Sequence, residues 1–237
     1  MKIILLLVLK IKNIKLWSKN NNKFKINKII KNAHEDQINK VIYCSNGNLI
    51  SCSDDKTIKI WKENNNNYYN IKTLSHSNYI CSLLLFEDKN NLISSGGDGT
   101  KIWNFNNNDN NIYCITHFKE TWCGWHGGLC KLNKDRIIVS DYKTISLKVI
   151  SKYKKDIIKI INHPFQCKSI YLIEDKGIFL VGGNSKNVKV YRNDNYECIQ
   201  TIKNVHEKNI YSFIELKNGS IISSSYKIMK SLEFSNI

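Results

Sequence analysis

The chain has 237 residues, of which 42% are hydrophobic and 11% aromatic, enough to bury a large core, and its 36 Lys+Arg against 20 Asp+Glu give a formal net charge of +16. Eight cysteines at irregular spacing exclude a disulfide framework and point to reduced, buried thiols in cytosol or nucleus. No Pro/Gly/Ser linker divides the chain, and beyond its first ten residues no stretch approaches transmembrane length.

Taken in chain order, "MKIILLLVLK" has the basic start and apolar run of a secretory leader. The run is short, Lys10 and Lys12 follow it, and no small-residue cleavage site appears, so it reads as a buried strand leading to "NIKLW" at Trp17. After an Asn-rich break, "SKNNN", comes His34 and then the alternating run "INKVIYCSNGNLIS", broken by Asn-Gly as between two short strands. The stretch "NLISCSDDKTIKIW", Asn48 to Trp61, poses the central question. Its two aspartates beside Ser51 and Ser53 are either a reactive centre or a turn.

Recurrence decides between them. "LISSGGDGTKIW", Leu92 to Trp103, repeats the order of apolar pair, serine, small residues, aspartate, threonine and tryptophan. Weaker copies are "RIIVSDYKTISLKV" (Arg136 to Val149), "FLVGGNSKNVKVY" (Phe179 to Tyr191) and "SIISSSYKIMKSLEF" near Phe234. Trp61 follows Trp17 by 44 positions and Trp103 follows Trp61 by 42. His34 and His76 each precede the tryptophan of their unit by 27 positions, His163 precedes Tyr191 by 28, and His117 and His206 stand near the corresponding places. A catalytic site is built once, whereas a structural turn repeats with its unit.

Histidine, strand, turn, "LISCSDDKTIKIW", loop and next histidine together resemble WD40 repeats over essentially the whole chain. The resemblance implies an all-β, WD40-type β-propeller of about six blades: a partial one at 1–31, then about 32–74, 75–116, 117–162, 163–205 and 206–237. It also implies a buried hydrogen-bonded set in each well-formed blade, carried here by His34, Ser51, Asp55 and Trp61, and by His76, Ser94, Asp98 and Trp103. In the third unit the aspartate-to-tryptophan interval is one residue shorter, which implies a tighter turn or a bulge. The fourth unit ends without tryptophan. In the fifth, Val181, Ser185 and Tyr191 replace serine, aspartate and tryptophan, so the set cannot form and that blade should be less stable. The first and last units each lack a strand, so the expectation is either a fragment of a longer, seven-bladed ring or an open six-bladed array. The Asn-rich stretches at Asn64 to Asn70, Asn104 to Asn111 and Ser18 to Asn22 are expected to be surface loops between outer strands.

"CITHFKETWCGWHGGLC" brings Cys114, His117, Cys123, His126 and Cys130 close in sequence, with two C-x-x-H pairs of zinc-like spacing. The propeller register puts Cys114 on the outermost strand of one blade and Cys123 and Cys130 on the innermost strand of the next, so no metal is expected. Nor is a cofactor or small-molecule substrate. The positive charge is nearly all lysine, Arg136 and Arg192 being the only arginines, and it is spread through every repeat as compositional drift would spread it. Base readout favours arginine, so an RNA-associated module stands as the alternative to a non-catalytic scaffold for peptide or protein partners within a larger complex. In the family resembled, partners dock on the face bearing the histidine loop and the aspartate turn, which here carries Gln37, Asp54, Lys56, Tyr79, Gly97, Trp122, Trp125 and Tyr142.

Overall fold

The structure is a computed structural model that describes residues 3–7, 12–20, 23–65, 67–86, 91–105, 111–124, 128–226 and 228–232. Short alternating runs separated by Asn, Gly and Asp pair with their sequence neighbours, and every sheet is an antiparallel meander of consecutive strands. Among the described residues there is no helix. The chain forms two compact units, 1–117 and 118–237.

The first unit holds three sheets. Sheet one is β1 (Ile3–Leu7), β2 (Ile14–Asn20) and β3 (Lys23–Ile30). Sheet two is β4 (Ile38–Tyr43), β5 (Leu49–Ser53), β6 (Thr57–Asn64) and β7 (Asn67–Ser75). Sheet three is β8 (Ile80–Phe86), β9 (Asn91–Gly96), β10 (Gly99–Asn104) and β11 (Tyr113–Phe118). The core lies between faces of successive sheets: Ile14, Leu16 and Ile30 pack on Leu49 and Trp61, and Ile50, Ile58 and Leu74 pack on Leu83, Leu92 and Trp103.

The second unit repeats the plan. Sheet four is β12 (Leu129–Lys131), β13 (Arg136–Asp141), β14 (Ser146–Ser151) and β15 (Asp156–Asn162). Sheet five is β16 (Cys167–Ile173), β17 (Ile178–Gly183), β18 (Val188–Arg192) and β19 (Cys198–Ile202). Sheet six is β20 (Ser212–Glu215), β21 (Ile221–Ser224) and β22 (Met229–Leu232). Phe179 and Val181 pack on Ile138, Leu147 and Val149, while Leu180 and Val190 pack on Ile210, Phe213 and Ile221.

Two sequence expectations change here, and a third is narrowed to one of its alternatives. The Asn-rich stretches are only partly loop: Ser18 to Asn20 belong to β2 and Asn67 to Asn70 to β7, and Asn64 pairs across with Asn67. Asn65 turns that hairpin at φ +46°, a left-handed conformation that asparagine tolerates. The shorter third-unit interval is a tighter turn, with Gly96 paired to Gly99 and Gly99 at φ +116°, where sheet two uses a longer turn with Lys56 at φ +69°. Cys123 is not on the innermost strand of sheet four. Only residues 129–131 form β12, and the segment before it is tied by a backbone bond from Tyr142 N–H to the Trp122 carbonyl.

The first hairpins of sheets two, three and five are bulged at one place each, the register slipping between Ile38 and Lys40, Ile80 and Ser82, and Cys167 and Ser169. Glycine stands opposite two of these bulges because the backbones approach closely. A Cβ on Gly96 would lie 2.0 Å from the Tyr79 carbonyl oxygen, and one on Gly183 equally close to that of Gln166. Gly183→Ala should therefore lower stability by about 1–3 kcal/mol, read as a lower urea midpoint at unchanged slope.

Candidate functional site

In sheets two and three one polar arrangement is built twice. Trp61 Nε1–H can only donate, and it donates to Ser51 Oγ at 2.9 Å. The serine proton then goes to His34 Nε2, 2.7 Å away, and His34 Nδ1–H goes to Asp55 Oδ2 at 2.8 Å. Asp55 also accepts the Glu35 N–H and both the N–H and hydroxyl of Thr57, which closes the turn. In sheet three the same order runs from Trp103 to Ser94 (2.8 Å), His76 (2.7 Å) and Asp98 (2.5 Å), with Asp98 accepting from the Ser77 N–H and hydroxyl. With the indole donating into the serine oxygen, the serine proton is directed at Nε2 of each histidine, and each Nδ1–H at its aspartate.

The electrostatics follow from this geometry. Burial opposes ionisation of Asp55, but hydrogen bonds from His34, Thr57 and the Glu35 N–H outweigh it and hold the carboxyl well below the ordinary carboxylate range. Asp98 is lowered too, burial again being overcome, here by His76 and Ser77. Burial pushes His76 down to about 4 despite the Asp98 carboxylate. Neither serine is a nucleophile open to substrate: Ser51 and Ser94 are both 0% exposed, and each hydroxyl oxygen is occupied by an indole N–H.

A fifth residue belongs to each set. Lys59 pairs with Ser51 across the strands, stands 6.0 Å over the Trp61 ring and donates to the Ala33 carbonyl at 2.9 Å. Lys101 does the same over Trp103, at 5.6 Å, with the Ser75 carbonyl at 3.1 Å. Sequence reasoning missed these lysines. Their signal is a lysine two places before the closing residue in "IKLW", "IKIW", "TKIW", "LKVI" and "VKVY", hidden by the abundance of lysine elsewhere.

Turn residues from the same strand ends surround these sets. Gln37 donates to Asn39, which donates to Asp54 Oδ1 at 2.7 Å and to the Ile80 carbonyl at 2.9 Å, tying sheet two to sheet three. Lys56 is exposed, Tyr79 half-buried, and Gly97 buried against the Tyr79 ring and Asn78, so Gly97 seats that ring and offers no surface of its own. In the second unit Trp122 and Tyr142 are 39% and 46% exposed, and Lys143 lies 5.7 Å over the Trp122 ring. A Cβ on Gly124 would meet the Tyr142 ring at 2.4 Å, so glycine is what lets that ring lie flat. Trp125 lies outside the described residues.

Residues 26–62, which span His34, Ser51, Asp55 and Trp61, match the family model for the WD domain, G-beta repeat. That stretch, comprising β4, β5 and most of β6 with the loop ahead of them, is similar to one WD40 repeat. No match is found among curated proteins.

The remaining sheets show how the set decays. In sheet five His163 Nδ1 lies 2.7 Å from the Tyr191 hydroxyl, a link the sequence did not suggest, while Nε2 has no partner among the described residues because Val181 stands in the serine's place. Burial pushes His163 down to about 4. Sheet six keeps only His206 and Ser223, 2.9 Å apart. In sheet four Lys148 reaches the Glu120 carbonyl as Lys59 reaches Ala33, so Thr121, not His117, takes the histidine's place. Val139 and Ile150 take those of serine and tryptophan, and the polar contact is instead a buried Lys148–Asp141 pair at 2.7 Å. His117 lies within β11, its Nε2–H directed at the Asp98 carbonyl. Of the cysteine-histidine stretch, Cys114 is exposed on β11, Cys123 is buried, Cys130 is half-buried on β12, and His126 lies outside the described residues.

Asp55→Ala should strand the His34 Nδ1–H and open the turn, lowering stability by about 2 kcal/mol in denaturant titration. Acid should act as well. His76 and His163 titrate near 6.5 when unfolded and about 4 when folded, so the unfolded chain binds more protons between those values. Stability is then full above about pH 6.5 and falls as pH drops toward 4, by about 1.4 kcal/mol per unit for each histidine, with Asp55 and Asp98 adding to the loss below their ordinary 3.8. Midpoints measured from pH 8 to pH 4 check this.

Proposed function

We propose that the chain is a non-catalytic scaffold that binds a peptide or protein segment on the face formed by its histidine loops and aspartate turns. WD40 propellers commonly serve as protein-interaction scaffolds, and the Ser/His/Asp sets here are buried twice over in hydrogen bonds that serve the turns. The observation that carries the reading is the pair Trp122 and Tyr142. Both are partly exposed on backbone segments joined by the Tyr142 N–H bond to the Trp122 carbonyl at 2.7 Å, and Trp122 lines a cleft of ≈ 560 Å³ with Lys119, Lys143 and Thr144 on its walls. Rigid aromatics that a fold leaves in solvent are the residue types that dominate binding energy at interfaces. Within the first unit taken by itself, Gln37, Asp54, Lys56 and Tyr79 lie at the corresponding strand ends, Gln37 and Asp54 ordered by the Asn39 bridge. Reduced cysteines fit a cytosolic or nuclear setting for such a scaffold.

The test is affinity capture with the wild-type chain and with Trp122→Ala/Tyr142→Ala, after equal thermal midpoints have been established. Partners held by the wild type should be lost from the double variant, by about tenfold or more in a direct binding titration. Identical partner sets for the two proteins would refute the aromatic face.

A further inference from the structure

At the end of sheet four opposite to Tyr142, β13 begins at Arg136 and β14 ends at Ser151. Asp135, Arg136, Lys154 and Lys159 gather there with Asp194 and Tyr196, from the turn between β18 and β19, around a cleft of ≈ 380 Å³. Arg136 Nη1–H donates to the Tyr196 hydroxyl at 2.8 Å. Tyr196 is itself held at φ +66°, a conformation that a bulky residue keeps only when its surroundings enforce it, and its ring packs on the core between sheets four and five. The guanidinium is thereby held in place, and its remaining N–H groups make no further hydrogen bond among the described residues.

Both carboxylates of the cleft accept hydrogen bonds from neighbouring groups and not from its cations. Asp135 accepts the Ser151 hydroxyl at 3.0 and 2.9 Å and the Tyr153 N–H at 2.9 Å, and Asp194 accepts the Asn195 N–H at 2.7 Å. Among the described residues no carboxylate lies within 4.0 Å of the charged nitrogens of Arg136, Lys154 or Lys159. Three cations thus line one cleft with no carboxylate in contact with them among the described residues, Asp135 and Asp194 standing elsewhere on its walls.

We propose that this cleft binds a phosphorylated side chain of a partner protein. A phosphate ester brings a near-dianionic charge and three acceptor oxygens, which suit a planar guanidinium fork flanked by two ammonium groups. A nucleic-acid backbone or an anionic membrane would call for cations in a stripe or over a broad patch. Here three cations share the walls of one small cleft, and exposed Asp194 on the same walls attracts a basic residue next to the phosphate and repels a polyanion. Ile158, 36% exposed, lines the same cleft and gives the peptide an apolar contact. The site needs neither Trp122 nor Tyr142, so it adds a partner chemistry to the scaffold reading without resting on that face.

The probe is a short peptide with phosphoserine beside lysine, titrated into the full chain against its unphosphorylated twin. With Arg136 and Arg192 the only arginines, the two guanidinium Nε–H resonances report the site directly. The expected result is that the phosphopeptide moves the Arg136 signal and leaves Arg192 in place, that Arg136→Lys weakens binding about tenfold while keeping the charge, and that Tyr196→Phe weakens it severalfold. Melting in chloride establishes that the variants fold, and the wild-type resonance test stands even where one does not. Equal binding of the two peptides, an unmoved Arg136 signal, or displacement of the peptide by single-stranded RNA to the same extent in wild type and Arg136→Lys would each overturn the proposal.

Discussion

An indole N–H can only donate, and burying one obliges the fold to supply an acceptor. The arrangement in sheets two and three follows from that obligation. Tryptophan requires the serine oxygen, the serine proton requires the unprotonated histidine nitrogen, and the opposite ring nitrogen then carries the proton that the aspartate accepts. Because the aspartate also collects backbone N–H groups from the histidine loop, the chain of bonds joins the third strand to the turn before it and to the loop ahead of the first strand. Hydrophobic packing between sheets does not by itself specify those loop positions. The polar chain does, and lysine closes it from the other side by reaching over the indole to the carbonyl before the histidine.

Where the indole is absent, the obligation changes form. Tyr191 can both donate and accept, so His163 meets it directly and the valine in the serine's place leaves one ring nitrogen without a partner among the described residues. Ile150 in sheet four makes no polar demand, and the space is organised instead by the Lys148–Asp141 pair. Trp17 in sheet one shows the opposite imbalance: its indole nitrogen is buried with no acceptor among the described residues.

Much of this was legible because turn chemistry and polar sets repeat in register with the hydrophobic alternation. The 27-residue interval from His34 to Trp61, and again from His76 to Trp103, marks partners that the structure brings within hydrogen-bonding reach. What escaped was of two kinds. Substitutes such as the His163–Tyr191 bond and the Lys148–Asp141 pair use residue types that the motif does not name. Residues whose type is common, such as Lys59 and Lys101, carry no compositional contrast. Gly97 misled for a related reason: a turn glycine looks exposed in sequence, yet it is buried because an aromatic ring needs the space above it. The positive charge also reads differently once placed, since lysines at this repeated position are spent on internal carbonyls, an aspartate and a threonine hydroxyl.

Each set keeps its indole, serine, imidazole and carboxylate within one sheet and the loop leading into it, yet the set of sheet three also reaches back: Lys101 donates to the Ser75 carbonyl at the end of β7, and the His76 N–H to the Lys56 carbonyl in the turn of sheet two. A substitution inside one side-chain set leaves no stranded side chain in the other, but a lesion that displaces the turn at Lys56 reaches the histidine loop of the next sheet. The wiring therefore has a direction along the chain, sheet two lending backbone acceptors to the set that follows it.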